Sequence, residues 1–480
     1  MKKIKLLSIM CFMTLLASCG NTTSDNTSNG GSNISPWWTT TGELSFDSDN
    51  KVVFNDVDIE LATVVTGDDL PRFKNIVERF NSEHMGKIHV NVNAYNQNSF
   101  EQTIGQKISQ NDTPPDLIMS HQKAHRNFAD SKLIQPFDEA FEKGKIDFDI
   151  SNFANNVAFY SNLGYEGYQF QIPIDAQSQV LFYNKELLTQ INGGILPNTR
   201  SDLINLLETA KTRMNDATFY GISGSTTDRD YFNKYTFLTA YIQNGGELYN
   251  TSTYKAEWTN ENNTKAFNDA ISSINELIDK EYFKYNEGLS AALTRFCRGK
   301  SLFLLAEPWL AETIFKNYAE LNSGYTIDRA KEEIGGFSVA KMFALDDSNA
   351  NSEKIFGDSH AFLMASTVKD INVKAACAYF CKWYTEDVQA GVDWANAGHI
   401  SASKIISNAN EYQEDAFIKE YITNFYLDID KFVTIGNNPY YSDIINALFD
   451  IATNVTNKNT ISSLIASKQQ DYNDMIDLRG

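Results

Sequence analysis

The sequence predicts an α/β protein of two lobes, each a mainly parallel sheet flanked by helices. Three observations support this. Between Val57 and Met119 the hydrophobic pattern runs strand, helix, strand, helix, strand, an order that implies parallel pairing with helices on the sheet faces. The chain has 480 residues, and from about residue 50 onward enough remains for two separate cores. Hydrophobic residues make up 42% and charged residues 21%, an ordinary globular composition.

The elements follow in order. Lys2, Lys3 and Lys5 supply a positive head, and Ile4 to Ala17 is nearly all apolar, the layout of a secretory signal. The run is too short for a bilayer, which needs about 20 residues. Leu16-Ala17-Ser18-Cys19 resembles the bacterial lipoprotein box. That resemblance implies cleavage before Cys19, lipid on its thiol, and anchoring at the extracellular face of the cell membrane. Gly20 to Pro36 is almost wholly Gly, Asn, Ser and Thr, which predicts a flexible tether. Trp37 and Trp38 end the tether and are expected to pack on the folded part.

Val57, Ile59 and Leu61 alternate with polar residues as a strand. Thr66-Gly67-Asp68-Asp69 is a turn that opens a helix, with Pro71 in its first turn. Leu70, Phe73, Ile76, Val77 and Phe80 supply the helical stripe. Ile88, Val90 and Val92 form a second strand, Phe100, Ile104 and Ile108 a second helix, and Leu117-Ile118-Met119 a third strand. In such sheets ligands gather beyond the C-terminal strand ends. Here those ends carry Thr66, Gly67 and Asp68, then Ser120, His121 and Gln122. No later apolar run reaches span length: Ser301 to Phe315 is broken by Glu307, Pro308 and Glu312.

PPDLIMSH with FADSKLIQPFDEAF from Phe128, and YQFQIPIDAQSQVLFYNKELL at 168–188, resemble extracellular solute-binding proteins of carbohydrate importers, the maltose-binding-protein-like family. YIQNGGELYN at 241–250, GKSLFLLAEPWLAETI at 299–314, GDSHAFLMAS at 357–366 and WANAGHISASK at 394–404 continue the match. The resemblance implies a two-lobed periplasmic-binding-protein-like fold of type II, with ligand held in the cleft between hinged lobes. The expected division is a signal over 1–18, the lipidated cysteine and tether over 19–50, a first lobe over 51–173 plus 356–412, a second over 174–340 plus 413–480, and a connecting loop over 341–355. Crossings are expected near Pro173 to Asp175 and near Phe337 to Ala340.

A sugar offers C–H faces to aromatics and hydroxyls to carboxylates and amides. Trp309 occupies the place of the family's stacking tryptophan after Gly-Pro; Glu307 stands where that glycine would be. Trp309 on an apolar helix would otherwise be core. Asp175 and Gln177 lie where the family takes sugar hydroxyls, or else form a solvated turn. Ser120 and His121 end the third strand, where maltose-binding protein carries an aromatic at the place of Ser120. Trp258 is a candidate for the cleft or for packing, while Trp394 is expected in core. Tyr183-Asn184-Lys185 is expected to serve structure.

The net charge of −20 argues against a nucleic-acid partner. Cys297, Cys377 and Cys381 lack metal-type spacing and are expected as buried free thiols. His121 and His125 have the spacing of a zinc pair but lack the glutamate of H-E-x-x-H. Gly299-Lys300-Ser301 lacks the first glycine of a phosphate loop, and no nucleophile elbow or dinucleotide fingerprint occurs. Neither an enzyme nor any metal or other cofactor is therefore expected. The expected function is a monomeric, lipid-anchored protein that captures a carbohydrate and delivers it to the permease subunits of an ABC importer. Two alternatives remain: a binder of glycerol-phosphate or another non-sugar solute, and a surface lipoprotein with glycoside-hydrolysing or adhesive activity.

Overall fold

A computed structural model describes residues 36–155, 160–227, 235–338, 350–423 and 431–479. The signal, Cys19 and the tether up to residue 35 lie outside the described residues. The first sheet runs in the order Ile88–Ala94, Val57–Thr63, Leu117–His121, His360–Ala365, Ile134–Gln135. Its first three strands are parallel, as the βαβ order requires. Strand His360–Ala365 enters antiparallel, and Gln171–Pro173 also pairs with it. Helix Asp69–Glu83 buries Phe73, Ile76, Val77 and Phe80 against this lobe. Asp68 precedes that helix without a side-chain capping bond. Trp37 donates its indole N–H to the Ile134 carbonyl and stacks on Phe170, so the end of the tether is fixed to the domain.

The second sheet runs Tyr220–Gly224, Ser301–Ala306, Val180–Tyr183, Phe337–Ser338. Its first pair is parallel and the other two pairings are antiparallel, so this sheet is more mixed than the sequence order suggested. The reason is directional. A strand entering from the other lobe starts at the interlobe boundary and runs away from it, whereas the lobe's other strands end there. Val180 thus faces Ala306, and His360 faces His121. Asn184 caps helix Lys185–Asn192 by accepting from the Leu187 N–H. Cys297, Cys377 and Cys381 are buried and free, and burial raises the latter two thiols well above their ordinary value.

The chain first leaves the first lobe after Pro173, through Asp175–Ala176. The return crossing differs from the expectation at Phe337 to Ala340. Phe337 and Ser338 pair with Phe182 and Leu181 inside the second sheet, and Ala340 lies outside the described residues. Ile355–Phe356 pairs with Phe432–Val433, and Phe356 packs in the second-lobe core. The return therefore occupies Gly357 to Ser359. A third passage follows Ile400–Ser401, which pairs with Ala176 and Asp175; Ile406 and Tyr412 beyond it pack with second-lobe residues.

Trp258, a cleft candidate from sequence, lies in the second-lobe core. It is 0% exposed, donates its indole N–H to the Leu248 carbonyl at 2.8 Å and stacks on Tyr472 at 6.2 Å. Ring contacts with Phe267 and Tyr472 and a buried carbonyl that needs a donor hold it there. Trp258→Ala should cost about 3–5 kcal/mol of unfolding free energy by lost contacts and a cavity. Chemical denaturation followed by circular dichroism measures this, and ligand affinity of the folded fraction should stay unchanged.

Candidate ligand-binding cleft

Because strand ends meet strand beginnings at the boundary, polar loops from both lobes face one another across a cavity of about 620 Å³. The first lobe contributes Thr66, Gly67, Asp68 and Asp69 from one strand end, Gln97 and Asn98 after the next, and His121 and Lys123 after the third. The second lobe contributes Tyr235, Glu307 and Trp309, and the crossings add Gln177, Asp358, His360 and His399. Arg72 on the first-lobe helix reaches Glu312 on helix Ala311–Leu321 at 2.8 Å. Both side chains keep 39% of their surface in solvent, so screening leaves the pair little energy, but it spans the two lobes.

The sequence candidates separate into two groups. Thr66, Gly67, Asp68, His121, Gln177, Glu307 and Trp309 line the cavity. His121 lies 3.3 Å from the Gln177 amide nitrogen and 3.9 Å from the Asp358 carboxylate. Trp309 is half-buried, with its ring parallel to His399 at 5.9 Å. His399 in turn stacks on Trp394 at 4.2 Å. Gly398, at φ +94°, allows this close approach: a Cβ there would fall 2.2 Å from the Trp309 backbone nitrogen.

Ser120, Asp175 and Trp258 do not line the cavity. Ser120 is buried, and its hydroxyl bonds His125 Nε2 at 3.0 Å. His125 Nδ1 faces the Gln171 side-chain oxygen at 2.5 Å, and Nε2 lies 3.0 Å from both the hydroxyl and the carbonyl oxygen of Ser120. Asp175 lies behind the wall at 0% exposure. Its Oδ1 accepts from the His360 backbone N–H at 2.8 Å. Its Oδ2 accepts from His360 Nδ1 at 2.9 Å and Trp394 Nε1 at 2.8 Å. Burial alone would raise the Asp175 carboxyl; the neighbouring His360 and His399 outweigh it and hold the group below its ordinary value.

Sequence reasoning missed Asp358, His360 and His399. Each sits in a segment quoted above for its resemblance, but at a strand start or in a loop, where no hydrophobic period marks a site.

The profile of bacterial extracellular solute-binding proteins matches residues 66–363. The chain belongs to this family. No curated protein sequence matches this solute-binding protein. Solved structures share its fold at low identity. The GacH receptor of Streptomyces glaucescens, determined without ligand and with acarbose, is 16% identical with a TM-score of 0.68, covering 88% of this chain and 98% of that one. The sugar-binding protein MalE of Xanthomonas citri is 13% identical with a TM-score of 0.69, covering 88% and 98%. Lmo0181 of Listeria monocytogenes, in complex with cycloalternan, is 16% identical with a TM-score of 0.66, covering 88% and 99%. No helix among the described residues of the solute-binding protein is long and apolar enough to cross a membrane.

His125 sets an acid limit on the first lobe. Burial drives its pKa down from 6.5 to about 4, against the raising effect of its Gln171 bond. The unfolded chain takes up this proton as pH falls below about 6.5 and the folded one does not until about 4, so stability is lost across that window. His125→Gln should lose about 2–3 kcal/mol less than the wild type between pH 7.5 and 4.5. Urea denaturation at the two pH values checks this.

Proposed function

We propose that this solute-binding protein captures a carbohydrate between its lobes and passes it to the permease subunits of an ABC importer. It does so as a monomer tethered by lipid on Cys19 at the extracellular face of the membrane, and it binds without catalysis. Trp309 carries the reading. Its half-buried ring stands on the cleft wall among groups that suit a sugar's hydroxyl rim: the Gln177 and Asn98 amides and the Asp68 and Glu307 carboxylates. The structural neighbours described with acarbose and cycloalternan support the same ligand class. An anionic solute such as a glycerol-phosphate is disfavoured. Among the described lining residues Lys123 is the one lysine or arginine, against the carboxylates of Asp68, Asp69, Asp358 and Glu307, and Lys123 already pairs with Glu101 at 3.1 Å. Ligand contacting both lobes would bind fully only when they are closed and would shift the population toward closure.

Calorimetry against a panel of neutral oligosaccharides should find stoichiometric binding of an unaltered sugar. Release of shorter sugars would favour the hydrolase reading and overturn this one. Trp309→Ala should weaken binding about 10- to 100-fold, equivalent to ~1.4–2.7 kcal/mol, while leaving the protein folded. An unchanged affinity would remove the stacking role.

The anchor has its own test. Cys19→Ala should abolish incorporation of radiolabelled fatty acid and release the protein from the membrane fraction or trap it as precursor. Equal labelling of the mutant and wild type would show that lipid is attached elsewhere.

A further inference from the structure

We infer that the hinge binds a divalent transition-metal ion, zinc or a chemical relative, on Asp175, His360 and His399. Among the described residues this is the trio of such side chains whose donor atoms converge, all within 4.8 Å of one another. All three are buried, and both histidines border the cleft.

His399 supplies the chemical reason. Its Nε2 lies 3.2 Å from Asp69 Oδ2 and its Nδ1 lies 3.5 Å from Asp175 Oδ2. A neutral imidazole has one N–H, so in either tautomer one bare nitrogen would face a carboxylate oxygen, and only a second positive centre at Nδ1, a proton or a metal ion, removes that repulsion. Nδ1 has no hydrogen-bond partner although the residue is only 2% exposed. A metal ion shared by Nδ1 and Asp175 Oδ2 takes the place of that proton, leaving the Nε2–H to donate to Asp69. A carboxylate behind a ligating imidazole is the usual outer arrangement at zinc sites, because it fixes the tautomer and raises the ligand's basicity. Trp394 Nε1 and the His360 backbone N–H orient the Asp175 carboxylate in the same way. His360 Nδ1, 2.9 Å from Asp175 Oδ2, supplies the third donor once the Nδ1 proton has left, the neutral ring keeping its one proton on Nε2. Two imidazoles and one carboxylate suit zinc or a late first-row ion rather than calcium or magnesium. Because both histidines border the cleft, water or a ligand oxygen from that side would complete the coordination.

The placement gives the site a role. Asp175 lies on the first crossing, His360 begins the strand after the return crossing, and His399 precedes the segment that pairs with Asp175–Ala176. A metal bound there ties the three passages together and stiffens the hinge. Adjacent-residue spacing cannot reveal such a site, since its ligands come from distant segments.

The full chain, stripped with chelator, is titrated with zinc chloride by calorimetry and with cobalt chloride by visible absorption. One equivalent of zinc should bind, the cobalt form should show the intense bands of a low-coordinate site, and zinc should raise the thermal midpoint. His399→Gln and Asp175→Asn should each weaken zinc binding at least about 100-fold. His399→Cys, which restores a ligand, should recover much of it, and the exposed His89→Gln should leave it unchanged. Absence of zinc binding by the wild type, or binding that survives both His399→Gln and Asp175→Asn, overturns the site. If one of these variants fails to fold, the other variant and the cobalt spectrum of the wild type decide. Sugar binding measured on the stripped protein reports separately on the carbohydrate reading.

Discussion

The interlobe region depends on one buried carboxylate. Asp175 has no contact with water, and a buried charge is tolerated only when donors surround it; removing a partner from such a group costs on the order of 3–5 kcal/mol. Its donors come from the His360 backbone, the His360 ring and Trp394. The demand of a single side chain for several donors therefore draws together segments more than 180 residues apart. Those segments are the places where the chain passes between lobes, so the electrostatics of Asp175 and the geometry of the crossings are one constraint.

The polarity of the cleft follows from strand direction. In the first lobe the parallel strands end at the boundary, and in both lobes the entering strand begins there. Backbone ends, turns and their polar side chains gather at that edge, while Ile59, Leu61, Leu304 and Phe362 are sealed in the sheets. The cavity is thus polar on its walls, with the apolar sheets and the buried Asp175 network behind them and Trp309 as a half-buried aromatic face. Gly398 permits the backbone around Trp309 to close against the segment bearing His399, which completes the parallel stack of Trp309, His399 and Trp394.

The alternation of Ile59 and Leu61 with Asp58 and Glu60 marked a half-buried strand, and Phe73 to Phe80 a buried helical stripe; both lie where their periods require. Thr66 to Asp68 and His121 line the cavity, a placement that their position after a strand already suggested. Ser120 is one residue earlier in the same strand and points to the other face, where His125 binds it. Trp258 carries the residue type of a stacking platform, yet type alone does not separate a platform from a core ring. The passage between lobes at Gly357 to Ser359 has no compositional mark, because a short extended crossing resembles any strand approach.

By itself the sequence determined the α/β class, the parallel order of the first three strands and the family, because hydrophobic period and ordered local segments are properties of neighbouring residues. Tertiary structure alone decided which polar residues share the cleft. It turned Asp175 from a candidate ligand contact into the buried centre of the crossings, and it brought His360 and His399 to that carboxylate. Those relations join residues far apart in the chain through strand direction and the pairing of a buried charge, and neither leaves a periodic trace in the order of amino acids.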